Sequence, residues 1–560
     1  TMHHGPTNPW SKSNSPSPRE NQGDSGQPAW RFMRYIRPPD ERTKLEPIYP
    51  LRPATRTIRL GIDVETVPEP PDGLLTGFLK REELIEVHLM VPKEQGAPAI
   101  WTDAIPNAVI REIGFTSIGE VGRWLDTAHF FVHTTVNENE RSRSTADFFP
   151  MYQQLDEQAA PNGLPSLTLD ERHRAAAYAA AGKAVGLDAI VTNMPTAGRS
   201  DVSDNDLVVS VTPDEVVPLV GHYLRITSNP VVTIERGPLM GGGAWETTES
   251  AGTVVNLYDW GTVSGLPYFD AASSFAAAAQ AGPDAAEAFK SIRIRLSRAA
   301  KALDHLLAAL SNPVDGKRVE DVTEAAAEAF DRELLYLSAV FDIFGRTYQA
   351  MINPALDQKK ARGSLDSRAF VENEVATQYD PSLLIDVTRL RVYAWLCKQL
   401  RNHIHDGILA VDAHPGRSYG SSKNVALNLG RIPELAPGAD NDMSQAHYDA
   451  LGVWHTEPMS FFEGQSMVAD LATTGFTLMR SGLEYVEAFT KLIIRNKPQR
   501  MLDAEGAAAG EGSTLGGEPA ENSFPSRFLG CVQAQPGEIE PPPPHRAVFY
   551  SAMFGWHPKA

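Results

Sequence analysis

Arg401, Asn402 and His405 crowd the end of the stretch LLIDVTRLRVYAWLCKQLRNHIHDGIL (383–409). Arg401 and His405 are four positions apart, which on a helix puts them on one face, with Asn402 adjacent. An imidazole and a guanidinium so placed can break a phosphodiester without a metal. The histidine moves a proton to or from the attacking or leaving oxygen, and the arginine neutralises charge building on phosphorus. The plainer alternative is that Arg401 satisfies the last carbonyls of its helix, or pairs with Asp386 or Asp406, while the histidines are surface residues.

A second set is acidic. Asp63 ends the run RLGID, Asp170 opens an alanine-rich stretch, and Asp188 precedes the apolar AIVT, with Glu65, Glu138 and Glu140 in conceivable reach. Carboxylates at the carboxyl ends of neighbouring parallel strands converge on one sheet edge. Asp63, Asp170 and Asp188 gathered there would hold Mg²⁺ or Mn²⁺, which generates hydroxide and offsets phosphodiester charge. The plainer alternative makes Asp170 a helix cap and Asp188 a loop residue.

Both sets need specific elements to position them. TIRLGIDVETV (57–67) and ELIEVHLMV (83–91) read as strands, and the apolar spacing between Pro106 and Phe131 is nearer to a helix. SLTLDERHRAAAYAAAGKAVGLDAIVTNMP (166–195) joins a helix, capped by Thr168 or Asp170 and ended near Gly186, to a buried strand. DLVVSVTPDEVVPLVGHYLRI (206–226) is a strand, a Thr-Pro-Asp-Glu helix start and a helix. This order predicts an α/β domain with a parallel sheet over 55–227.

A connector rich in Gly, Thr and Ser, with short strands, follows over 228–282. Its glycines Gly241, Gly242 and Gly243 lack the Lys-Ser/Thr of a phosphate-binding loop and read as a flexible turn. From 283 to 500 the periodicity is helical, over 284–310, 319–355, 382–408 and 457–497, predicting a bundle with a polar insertion at 409–456. In the third of these helices Leu383, Val387, Leu390, Ala394, Cys397, Ile404 and Ile408 form one apolar stripe on which Arg401 falls. Residues 1–54, rich in Pro, Ser, Asn and Arg, and the Gly/Pro-rich tail 501–560, with Pro541 to Pro544 in succession, predict disordered termini.

Residues 166–226 resemble the C-terminal half of PIN-like nuclease domains. An acid, Asp170, starts the small-residue helix AAAYAAA, and Ile190-Val191-Thr192-Asn193 follows as the strand end. VVSVTPDEVVPLV is similar to the family's last strand and helix. The resemblance spans about 57–226 in part and implies a metal-dependent nuclease fold. Asn193 stands where the family has its last acid, and an amide holds a cation less strongly than a carboxylate.

Arg401-Asn402-His403-Ile404-His405 resembles the signature of HEPN domains, helical bundles that often act as ribonuclease toxins or defence effectors and commonly pair face to face. This covers about 283–500 in part, with three residues between Arg and His where the family usually has four to six. Together the two resemblances imply an RNA-directed nuclease, or a degenerate relative, of stress or defence type, and a homodimer through the helical domain. The rival reading is a non-catalytic interaction or dimerisation protein.

Bulk composition narrows the field. At 560 residues, with 42% hydrophobic and 22% charged residues, the chain is long enough for several cores, and its 42 Pro and 43 Gly point to long irregular segments. A net charge of −19 repels nucleic acid at long range and gives no support to a broad sequence-independent DNA binder; sequence-specific DNA binding is not predicted, and any RNA contact must be local. Lys290, Arg293, Arg295, Arg298 and Lys301 offer one basic locality, more plainly a solvated helix face. Two cysteines, Cys397 and Cys531, exclude a disulfide framework, and His414, His447 and His455 are spaced irregularly for zinc. No apolar run of membrane-spanning length and no signal-peptide pattern occurs, so no membrane association and a cytoplasmic location are expected. No hydrolase elbow, Walker lysine or dinucleotide fingerprint is present.

Overall fold

In the computed structural model the residues described are 48–49, 51, 56–71, 74–93, 95–117, 128–134, 141–144, 166–195, 208–227, 232–235, 245–248, 258–259, 261–263, 265–277, 283–312, 319–353, 356, 360–415, 423–435, 439–456, 465–496 and 498–499. The acids Glu138 and Glu140, the glycines 241–243, Cys531, Pro541 to Pro544 and nearly all of 1–54 and 501–560 lie outside this set.

The N-terminal half is built on β1 (Ile58–Asp63), a strand with almost every side chain buried, as a central parallel strand requires. It pairs in parallel with β2 (Ile85–Pro92) on one side and with β6 (Ala189–Val191) on the other. β3 (Val109–Ser117) extends the parallel sheet beyond β2, and β7 (Val209–Val211) beyond β6. β4 (Ala128–Thr134) and β5 (Arg141–Ser144) add antiparallel edge strands, giving the order β5-β4-β3-β2-β1-β6-β7. The predicted parallel α/β sheet is therefore present. The helical expectation over 106–131 is corrected, because Val109 to Ser117 pairs with β2 and Ala128 to Thr134 pairs with β3. Cross-strand pairing outweighs local apolar spacing there.

Alternation assigns the sheet's two faces. Ile58, Leu60, Ile62, Leu89 and Val91 join the main core, while Met90 and Ile190 join a smaller one with Ala177, Ala180 and Ala181. Those alanines lie on α3 (Leu169–Val185), whose small side chains let the helix sit close to the strands. Thr168 and Glu171 cap it reciprocally, and Gly186, at φ 77°, ends it in the left-handed region that suits glycine. The opposite face is covered by α1 (Leu74–Leu79) and α4 (Pro213–Ile226), with α2 (Ala99–Ala104) burying Trp101. On α4, Thr212 and Glu215 form a second capping box.

The connector holds a hairpin, β8 (Val232–Glu235) with β9 (Trp245–Thr248), and also a helix that its composition did not predict, α5 (Pro267–Ala277). The C-terminal half is mostly helical. α6 (Pro283–Leu310) and α7 (Val319–Ile352) pack along their lengths, and α8 (Ile385–Asp406) and α10 (Leu471–Arg495) complete the bundle. Phe489 fixes its centre, with Phe344 and Tyr348 each edge-on at 5.2 Å.

The last helix starts at Leu471, because Met467 to Asp470 belong to a small antiparallel sheet, β10-β11-β13-β12, while 457–464 lie outside the described residues. Its strands are β10 (Val411–Pro415), β11 (Lys423–Asn428), β12 (Val453–His455) and β13 (Met467–Asp470), with the short α9 (Gln445–Ala450) before β12. The stripe along α8 also needs correction at its ends. Val387, Leu390, Ala394 and Cys397 are buried as expected, but Leu383 and Ile408 fall outside the helix, Ile408 being 94% exposed.

A buried polar cluster joins the two halves. Asp304 on α6 takes both nitrogens of the Arg225 fork from α4 (2.6 and 2.9 Å), Nδ1 of His222 (2.8 Å) and the Tyr258 hydroxyl (2.6 Å). Tyr49 stacks edge-on to His222 at 5.2 Å, anchoring the chain ahead of β1.

Candidate functional site

The chain runs from β1 outward through β2 and β3, then returns to place β6 and β7 on β1's other side. The carboxyl ends of β1 and β6 therefore border the crevice where the strand order reverses, the usual ligand position in open α/β sheets. Asp63 lies at this edge, fully buried. Its carboxylate accepts from Thr66 Oγ1 (2.9 Å), Thr192 Oγ1 (2.8 Å), the Glu65 backbone N–H (3.2 Å) and Arg174 Nη2 (2.7 Å). Arg174 also reaches Glu65 at 2.7 Å and lies over the Tyr178 ring. A guanidinium of the chain itself thus neutralises the acid.

The three predicted metal ligands do not meet. Asp170, in the exposed first turn of α3, is one helical turn from Arg174 and so on the same face of the helix as the residue reaching Asp63. Asp188 is at the opposite end of the sheet. It precedes β6, accepts the Arg59 backbone N–H at 2.8 Å and takes a two-pronged contact from Arg56 at 2.7 and 2.5 Å. Arg59 and Asp63 are four residues apart on β1, about 13 Å along an extended strand. Asp188 is thus corrected from a ligand to a partner of Arg56. Asn193 donates its side-chain amide to the Thr66 carbonyl at 2.9 Å, clamping the β1 and β6 ends together. Among the described residues no group of three His, Cys, Asp or Glu side chains is arranged to hold a metal.

The helix-end set has a different geometry. Arg401, Asn402 and His405 occupy the last turns of α8, one side of which is fixed by burial of Cys397 and Leu400. Gly407 stops the helix just beyond. Arg401 and Asn402 are half-buried and His405 is exposed, so the set faces solvent. Of the two predicted carboxylate partners, the Asp406 side chain lies outside what the structure describes, and Asp386 is not on Arg401. Asp386 pairs with Arg389 instead, and the Arg401 guanidinium lies 3.5 Å from Asn402 Oδ1. His403 is turned to Glu434 at 3.2 Å. A phosphate approaching this turn would meet a cation with no carboxylate paired to it among the described residues, one helical turn from an accessible imidazole.

Other predicted localities are absorbed into structure. Arg293 forks onto Asp259 and reaches Asp270, and Arg298 lies over Tyr336, so the basic stretch of α6 is partly spent on internal contacts. His447 caps its own helix through Ser444 and stacks against Tyr393. Sequence reasoning missed Arg174, the Asp304 cluster and the buried Glu333. The available signal for the last two was a charge at a position that helical spacing aligns with apolar residues, Asp304 with Ala300 and Leu307, Glu333 with Phe330 and Leu337.

No family model, no curated protein and no solved structure matches this chain. Among the described residues no helix is long and apolar enough to cross a membrane.

Proposed function

We propose that the helical half is a metal-independent ribonuclease acting through the end of α8. The observation that carries this reading is the accessible pair of Arg401, free of any carboxylate partner among the described residues, and His405, one turn away. His405 takes the 2′-hydroxyl proton as O2′ bonds to phosphorus. The P–O5′ bond breaks, the proton passes to the leaving O5′, and the products are a 2′,3′-cyclic phosphate and a 5′-hydroxyl. Arg401 offsets the charge of the phosphorane, and Asn402 supplies an amide to orient a phosphate oxygen. With a chain charge of −19, RNA would be held only locally, and binding would weaken steeply with salt.

In this reading the α/β half is a degenerate relative of PIN-like nucleases, with Arg174 standing at Asp63 in place of a bound cation. That same contact favours a second reading, a non-catalytic interaction protein in which the sheet is a scaffold and the bundle pairs with a partner or a second copy. Incubating purified protein with RNA, with and without EDTA, separates the two. Cleavage that survives EDTA and disappears in Arg401→Ala and His405→Ala supports the helix-end site. Cleavage abolished by EDTA assigns the chemistry to the acidic edge instead, and no cleavage of any RNA leaves the scaffold reading.

A further inference from the structure

A cleft of about 640 Å³ opens between the start of α8, the last turns of α10 and the segment leading into α5. This is within the size range of small-molecule sites. Its floor is apolar, with Val387, Leu390, Leu483 and Leu492 all nearly inaccessible. Leu390 is roughly 17 Å along α8 from Arg401, so the cleft is separate from the site above.

Three acids and three bases line it, but they are not all paired with one another. Each acid is already engaged: Asp386 with Arg389 (3.2 Å), Glu484 with Arg480 (2.9 Å), and Glu487 with the backbone N–H groups of Tyr268 and Phe269 (2.9 and 3.0 Å). Lys491 and Arg495 make no ion pair within 4 Å among the described residues. They lie over the Tyr268 ring at 5.8 and 5.3 Å, and Arg495 also donates to the Tyr268 hydroxyl at 2.9 Å. Their position near the C-terminal end of α10 suits the helix dipole.

We propose that this cleft binds a small organic anion with an apolar body, its acidic group between Lys491 and Arg495 and its body against Val387, Leu390 and Leu492. Two unpaired cations above an apolar floor fit such a molecule in both charge and polarity, and a cationic or fully polar ligand in neither. Burial pushes the Glu487 carboxyl up to about 7 against the pull of the Tyr268 and Phe269 N–H groups and of Lys491, so near neutral pH it repels an anion, and offsets Lys491, less than an ordinary carboxylate would.

Calorimetric titration of the full chain with decanoate, decyltrimethylammonium and acetate tests this. The site predicts saturable one-to-one binding of decanoate, with the ammonium amphiphile and acetate each at least tenfold weaker. Lys491→Gln/Arg495→Gln, which removes the cations, and Ala488→Phe, which fills the cleft, should each weaken decanoate at least tenfold with the melting temperature of each variant kept. Absence of saturable decanoate binding, equal binding of the ammonium amphiphile, or parental affinity in either folded variant would overturn the proposal. The three-ligand comparison uses the unaltered protein, so it decides the question even where a variant does not fold.

Discussion

The guanidinium of Arg174 lies 2.7 Å from the carboxylate of Asp63, closing the carboxyl end of β1 with a charge from the helix that precedes β6. Removing one partner of a buried ion pair leaves the other charge uncompensated. Arg174→Ala is therefore expected to lower stability by roughly 2 kcal/mol in urea unfolding, softened by the three other donors to Asp63. Millimolar Mn²⁺ should raise the melting temperature of this variant more than that of the parent, since the vacated cation position faces Asp63 and Glu65. Equal stability of variant and parent would show that the pair does not hold this edge.

Asp304 ties α6 to α4, and its loss should loosen the junction of the two halves. Asp304→Ala removes the buried carboxylate shared by Arg225, His222 and Tyr258 and is expected to cost about 3–5 kcal/mol. Burial alone would push the Asp304 carboxyl up, but Arg225 and His222, by charge and hydrogen bonds, hold it well below the usual carboxylate range. A lowered folded-state value means the stabilisation is complete above the unfolded value of about 4 and fades as pH falls below it. Urea midpoints of parent and variant should differ most near neutrality and converge in acid.

Glu333 is fully buried on α7, and among the described residues neither carboxylate oxygen has a hydrogen-bond partner. Burial alone pushes its carboxyl well above the usual range. For a raised value the sign reverses: the group's contribution is most favourable below its unfolded value, about 4.3, and is lost as pH rises toward the folded one. Glu333→Met should therefore stabilise the protein by about 1–3 kcal/mol at neutral pH, with the advantage shrinking toward pH 4. A destabilised variant at pH 7 would mean that the carboxyl has a role the core contacts do not reveal.

Gly345 on α7 packs directly against the chain at Ser364. A Cβ there would lie 2.5 Å from the Ser364 Cα and 2.7 Å from its backbone nitrogen. Because the obstacle is backbone, Gly345→Ala should cost about 2–3 kcal/mol, measurable as a lowered urea midpoint without a change in slope.

Local signals in the sequence carried well into the structure. Thr168 with Glu171 and Thr212 with Glu215 mark helix starts by side chains that bond within three residues, so they were legible without knowledge of the fold. The strands after Pro106 were not, since their identity depends on pairing with β2. The misplacement of Asp188 was avoidable. In a parallel sheet a residue preceding its strand lies at the amino edge, whereas Asp63, ending β1, lies at the carboxyl edge. Asp304 and Glu333 each sit where helical spacing aligns a charge with apolar residues, and their opposite situations, one fully paired and one with no hydrogen-bond partner among the described residues, depend on which helices face them. At the end of α8 the four-residue spacing of Arg401 and His405 fixed their shared face in advance, but whether that face was open depended on where Gly407 stopped the helix.

The most direct measurement follows the termini made from a single RNA strand and its all-deoxy counterpart, both in EDTA, by the parent protein and by His405→Ala. Cleavage of the RNA alone to 2′,3′-cyclic phosphate ends, slowed at least a hundredfold in the variant, is the predicted result. An intact RNA, cleavage of the deoxy strand, or an undiminished rate in His405→Ala would contradict a nuclease site at the end of α8.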